Sequence, residues 1–147
     1  MHAVKSVDRS ALVKYTPAQM FALVGDVASY PEFLPWCTGA TVQAVGENEV
    51  IATVDIARSV LKSRFTTRNL LVPDSSITMT LEDGPFRVLQ GQWRFLPIAS
   101  AGSRIGFHVD FEFSNRLMGL ALDAAFESIC TSLVTAFVAR ARAVYGA

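Results

Sequence analysis

The chain has 147 residues and a mass of 16.0 kDa, which fits one domain spanning residues 1–147. Apolar residues make up 51% and charged ones 18%, too apolar for a disordered chain, while 13 basic and 13 acidic side chains cancel. Composition therefore gives no general affinity for polyanions such as DNA, although a local basic patch stays open. No stretch approaches about 18 uninterrupted apolar residues; the best, Leu117 to Phe126, is broken by Asp123. No leader segment is read at the N-terminus, and Cys37 and Cys130 read as buried thiols, so a cytoplasmic protein is expected.

Val7, Arg9, Ala11, Val13 and Tyr15 alternate with mostly polar neighbours, the mark of a half-buried strand with Arg9 as an unusual inward candidate. Thr16-Pro17-Ala18-Gln19 resembles a capping box with proline in the first turn, opening a short helix that Gly25-Asp26 stops. Prolines at 31 and 35 keep any second helix very short, in a loop crowded by Tyr30, Phe33, Leu34 and Trp36. Six segments, near 39–47, 49–57, 62–72, 76–82, 86–96 and 103–113, then have strand character and connections too short for parallel crossovers. Ile105, Phe107, Val109, Phe111 and Phe113 form the clearest apolar face among them.

From about Asn115 to Tyr145 the period becomes helical, roughly 45 Å of helix at 1.5 Å per residue, with Ser114 or Asn115 as N-cap. Leu122, Phe126, Ile129, Leu133, Phe137 and Val144 fall on one face, and Arg140 and Arg142 suit the C-terminal dipole. The expected fold is α+β, a curved antiparallel sheet of seven strands wrapped around a long C-terminal helix. The space between a curved sheet and a straight helix is either packed core or an apolar pocket.

One stretch is specific. Val27-Ala28-Ser29-Tyr30-Pro31-Glu32-Phe33-Leu34-Pro35-Trp36-Cys37 resembles the coenzyme-Q-binding START-type family, within the polyketide cyclase/dehydrase-like superfamily. Phe65-Thr66-Thr67-Arg68-Asn69, Gly84-Pro85-Phe86 with Leu89-Gln90-Gly91-Gln92-Trp93-Arg94-Phe95, and Phe111-Glu112-Phe113-Ser114 match it in order. The resemblance implies the helix-grip fold around a hydrophobic cavity. It implies two activities. One branch is similar to ubiquinone carriers that support respiration or quinone biosynthesis at the inner membrane. A bacterial branch, named ribosome-association toxins, binds the large ribosomal subunit and blocks subunit joining. The motifs do not separate the two.

Phe65, Met79, Leu81, Trp93, Phe107 and Phe111 are candidates for the cavity wall, faced by Phe126 and Ile129 from the helix. An isoprenoid tail needs such an apolar sleeve; a quinone head needs one or two donors, for which Arg9, Thr67 and Asn69 are candidates. Tyr30, Phe33, Leu34 and Trp36 are candidates for a gate or a fixed lid, with aromatic rings suited to a membrane interface. Lys62, Arg64 and Arg68 share strand parity and form a candidate RNA-facing stripe.

Catalysis is not expected. Of two histidines, His2 lies at the terminus and His108 is predicted to point outward. No spacing suggests a metal site, a G-x-S-x-G elbow or a phosphate-cradling loop. Asp8, Asp55, Asp110 and Glu112 fall on polar strand faces as solvated surface, and nothing basic adjoins Cys37 in sequence to activate it. The expectation is a non-enzymatic carrier of a polyprenyl quinone, needing no cofactor beyond ubiquinone as ligand. The alternative is a ribosome-binding regulator.

Overall fold

The computed structural model describes residues 4–98 and 102–146; His2 lies outside them. Seven strands, β1 (Lys5–Val13), β2 (Cys37–Gly46), β3 (Glu49–Arg58), β4 (Leu61–Val72), β5 (Ser76–Asp83), β6 (Phe86–Ile98) and β7 (Gly102–Phe113), form one antiparallel sheet. Their order is β1-β7-β6-β5-β4-β3-β2, so the first two strands are the two edges. The chain between them must cross six strand spacings, roughly 29 Å at about 4.8 Å each. It does so through helix α1 (Pro17–Gly25) and a 3-10 turn (Val27–Glu32). That crossing lays the aromatic loop against the helical side of the sheet.

Local chemistry explains the elements. Thr16 Oγ1 accepts from the Gln19 amide at 3.1 Å while the Gln19 side chain accepts from the Thr16 amide at 2.9 Å, a complete capping box with Pro17 in the first turn. Helix α2 (Arg116–Tyr145) starts where the Asn115 side chain accepts from the Met118 amide at 2.7 Å. By length and hydropathy α2 would suffice to cross a bilayer, contrary to the reading of its broken apolar runs. Here it instead buries Phe126, Ile129, Cys130, Val134, Phe137 and Ala141 in the groove of the sheet.

Four expectations are corrected. The first strand ends at Val13; Tyr15 lies beyond it, its hydroxyl donating to the Gly146 carbonyl at 2.5 Å. Val144 is 49% exposed, because the apolar face stops at Ala141. Arg9 does not turn inward: on an edge strand its guanidinium escapes into solvent at little cost and donates to the Asp8 carbonyl at 2.8 Å. Glu112 is buried, at 3% exposure, and takes an ion pair from Arg87. A register shift between Phe86 and Val88 places Arg87 over it.

Candidate ligand-binding cavity

Under α2 the sheet encloses about 110 Å³ of free space. β3 contributes Val50, Ala52, Val54 and Ile56, alternate residues of one strand face. β4 contributes Phe65, Thr67, Asn69 and Leu71, again every second residue, while Arg64 and Arg68 face outward. Met79, Trp93 and Phe107 line it from β5, β6 and β7, and Phe126, Ile129, Leu133 and Phe137 from the helix.

Six of the eight expected wall residues are therefore brought together: Phe65, Met79, Trp93, Phe107, Phe126 and Ile129. Leu81 and Phe111 are not among them. The β5–β6 pairing ends at Thr80 with Gln90, and the β4–β5 register slips between Thr66 and Thr67, so Leu81 curls away. Phe111 is fully buried in an aromatic plug, its ring 4.8 Å from Phe126 and 6.3 Å from Phe113. That plug closes one end of the groove by packing. Val54, Gly91, Leu133 and Phe137 line the cavity as well and are not among the expected wall residues, although Leu133 and Phe137 fall on the expected apolar face of the helix. The alternation of Ala52, Val54 and Ile56 was the available signal for β3.

Two polar side chains share the cavity. Thr67 and Asn69 are 6% and 4% exposed, and the Thr67 hydroxyl donates to Asn69 Oδ1 at 2.7 Å. That bond uses one lone pair of the Asn69 oxygen, and the Asn69 amide N–H groups have no acceptor among the described residues. Asn69 stands in register with Val50 on β3 and Met79 on β5, both only half-buried, so the donor lies where the cavity approaches solvent. Arg9, the third head-group candidate, is on the other side of the sheet edge and does not reach this space.

The aromatic loop forms a packed lid. Tyr30 and Trp36 line the cavity, Leu34 is fully buried as an anchor, and Phe33 is half-buried. Tyr30, Phe33 and Phe137 make a cluster of edge-on rings with centroids 5.4 to 6.1 Å apart. Arg140 of α2 lies 4.7 Å over the Phe33 ring and pairs with Glu32 at 3.2 Å. The Tyr30 hydroxyl donates to the Val24 carbonyl. Burial pushes the Tyr30 phenol far above the ordinary tyrosine range, with Cys37 and Asp26 adding to the shift.

Nothing in the cavity resembles an activated nucleophile. Burial raises the Cys37 thiol, and it pushes Cys130, which lines the cavity, up to about 12, with Glu127 adding to it. Among the described residues no group of three His, Cys, Asp or Glu side chains gathers to hold a metal. On the outer face of the sheet Lys62, Arg64 and Arg68 do line up, exposed or half-buried, but two of them are occupied. Arg64 pairs with Asp55 at 2.6 Å, and Arg68 bridges Glu49 and Glu82. The charge of that stripe is largely neutralised by carboxylates of the neighbouring strands.

The model of the polyketide cyclase/dehydrase and lipid transport family matches residues 13–138. The chain is 45% identical over 141 residues to a protein named ribosome association toxin RatA from Escherichia coli (strain K12), covering 96% of this chain and 89% of that one. It is 28% identical over 138 residues to a mitochondrial coenzyme Q-binding protein named COQ10 from Drosophila melanogaster, covering 91% of this chain and 57% of that one. Among solved structures, the Zhui aromatase/cyclase of a Streptomyces species superposes with a TM-score of 0.82 at 18% identity, covering 97% and 96% of the two chains. That likeness is one of fold.

Proposed function

The chain belongs to the polyketide cyclase/dehydrase and lipid transport family, and we propose that it holds an apolar molecule with a small polar head, a polyprenyl quinone such as ubiquinone, without transforming it. The observation that carries this is the buried Asn69, whose amide is free to donate beside Thr67 in a wall made mostly of hydrocarbon and aromatic surface. A quinone carbonyl is an acceptor without a proton of its own, which suits a donor with no accompanying base. The relative named as coenzyme Q-binding supports the same ligand class.

The volume limits how the ligand sits. Pockets that enclose a drug-sized ligand measure roughly 300–1,000 Å³, well above the 110 Å³ here. The head and the first part of the tail go inside, and the rest of the tail leaves past the half-buried rim of Val50, Leu71 and Met79. A ligand held this way is presented at a membrane surface, where the protein is peripheral and respiratory or biosynthetic enzymes take the quinone. Organic extraction of protein purified from its native source, with mass spectrometry of the lipids, tests this reading. A stoichiometric quinone that is lost in Ile129→Trp supports it, and an empty protein that takes up no added quinone refutes it.

A second reading is favoured by the 45% identity to a protein named for ribosome association. In it the chain binds the large ribosomal subunit and hinders subunit joining, using a surface rather than the cavity. Sedimentation with separated subunits tests it: the protein travels with the large subunit, or the reading falls.

A further inference from the structure

The outer face of the sheet carries a depression of about 250 Å³ that has no part in the cavity beneath α2. It exists because Gly106, central on β7, has no side chain: a Cβ built there meets nothing within 4 Å. Its cross-strand partners are Ser10 on β1 and Arg94 on β6. Two residues along β7 stand Arg104 on one side and His108 on the other, the same face by strand periodicity. Arg9 reaches the same depression from the edge of β1.

These arginines differ from the others nearby. Arg64, Arg68, Arg87 and Arg140 each pair with a carboxylate. Arg9, Arg94 and Arg104 have no carboxylate partner among the described residues. Their bonds go to neutral oxygens: Arg9 to the Asp8 carbonyl at 2.8 Å, Arg94 to Gln92 Oε1 at 3.1 Å and Arg104 to Ser10 Oγ at 3.4 Å. The one carboxylate lining the depression, Asp8, is taken by His108 Nδ1 at 2.9 Å. Three cations are thus gathered round one cleft with most of their N–H donors unspent.

We propose that this cleft binds a phosphate of an RNA strand. Guanidinium groups match phosphate oxygens two at a time, and the missing side chain at Gly106 gives one phosphate room to descend between them. Leu12 and Leu96, 69% and 49% exposed, sit opposite Arg104 on its two neighbouring strands and offer apolar surface to a sugar or base. A flat anionic bilayer is a poorer fit, because Asp8 and Asp110 stand on the same face and repel it, whereas a strand places a single phosphate in the cleft. The RNA source rests on the ribosome-association reading; the phosphate site itself rests on the geometry.

The test is fluorescence anisotropy of a labelled single-stranded RNA of mixed sequence, at low and at physiological salt. Gly106→Glu adds its side chain in open space, so the variant folds, and its carboxylate occupies the cleft. Arg94→Glu with Arg104→Glu reverses the charge, and Arg64→Glu with Arg68→Glu serves as the control on the other stripe. The site predicts RNA binding that weakens with salt, falls about tenfold or more in the first two variants and survives in the control. Wild-type affinity in both cleft variants, absence of RNA binding by the native protein, or binding to phosphatidylglycerol vesicles in its place would overturn it. Sedimentation separates the two claims. If both cleft variants keep native RNA affinity and all three proteins travel with large subunits, the site falls and the ribosome reading stands. If native protein binds RNA through the cleft but leaves the subunits alone, the site stands and that reading falls.

Discussion

Thr67 spends its hydroxyl proton on Asn69 Oδ1, 2.7 Å away and two residues along the same strand face, while both amide N–H donors of Asn69 remain to be offered. The pair is self-contained enough to tolerate an apolar surrounding and incomplete enough to welcome an acceptor. That asymmetry is the feature on which the proposed quinone site rests.

Asn69→Leu removes the donor while keeping a side chain of similar size. Affinity for a short-chain quinone falls about tenfold, the worth of one hydrogen bond of ~1–1.5 kcal/mol. Affinity for a hydrocarbon lacking carbonyls does not fall. Calorimetric titration of both ligands checks this; equal losses for the two would mean that Asn69 acts only through packing.

The lid predicts a kinetic effect. Phe33→Ala removes the ring that Phe137 and Arg140 both hold, and Arg140→Ala removes the cation over that ring and the Glu32 pair. The cation contributes about 0.5–1 kcal/mol at a partly exposed site. Both variants release ligand faster in stopped-flow displacement, Phe33→Ala the more so. Unchanged release rates would mean that the lid stays shut during release and that the whole ligand leaves past the Val50–Met79 rim, where its tail already emerges.

His108 gives a pH dependence of known sign. Its pKa is raised, first by its hydrogen bond to Asp8 and then by Asp110, while desolvation opposes the shift. A raised folded-state value means stabilisation that is fully present below the ordinary imidazole value of about 6.5 and lost as pH rises through the higher one. The ring is 46% exposed, so solvent screening holds the effect to ~0.5 kcal/mol or less. Imidazole titration by NMR finds the His108 midpoint above that ordinary value, and Asp8→Asn lowers it. A midpoint unmoved by that substitution would contradict the assignment.

The two thiols are predicted to be inert. Both cysteines are buried with raised pKa values, Cys130 reaching about 12. Iodoacetamide at mildly alkaline pH leaves the native protein unlabelled and modifies both positions once denaturant unfolds it. Rapid labelling of native Cys37 would reopen a reactive role for it.

Much of this architecture is legible in the residues themselves. The run from Ile105 to Phe113 announces a two-faced strand, and Thr16-Pro17-Ala18-Gln19 announces a helix start, because both signals are local. Thr67 and Asn69 are legible for the same reason, sharing parity with Phe65. Arg9 is misread because parity gives a face and not a position in the sheet; only the edge placement of β1 lets its charge reach water. Leu81 and Phe111 depend on where the sheet curls and where aromatic packing fills the groove, and Glu112 on a bulge in the strand beside it. Gly91 and Leu133 look like any core residue until the curvature separates sheet from helix. The arginine cleft is invisible in the sequence because Ser10 joins Arg94 and Gly106 only through the pairing of the first strand with the last, β7 being flanked by β1 and β6.

The central claim is that the space under α2 takes a quinone, and fluorescence tests it most directly. Trp36 and Trp93 are the two tryptophans of the chain, and both line the cavity. Titrating a short-chain ubiquinone into delipidated protein should quench their emission saturably at one equivalent. Gly91→Leu should remove the quenching while the protein still unfolds cooperatively, since a Cβ at Gly91 crowds only the flexible end of Met79, at 2.9 Å, with the His108 carbonyl at 3.4 Å and Phe107 at 3.7 Å, and the rest of the side chain then fills the cavity. Quenching that never saturates, or that persists unchanged in Gly91→Leu, would contradict the cavity as the binding site.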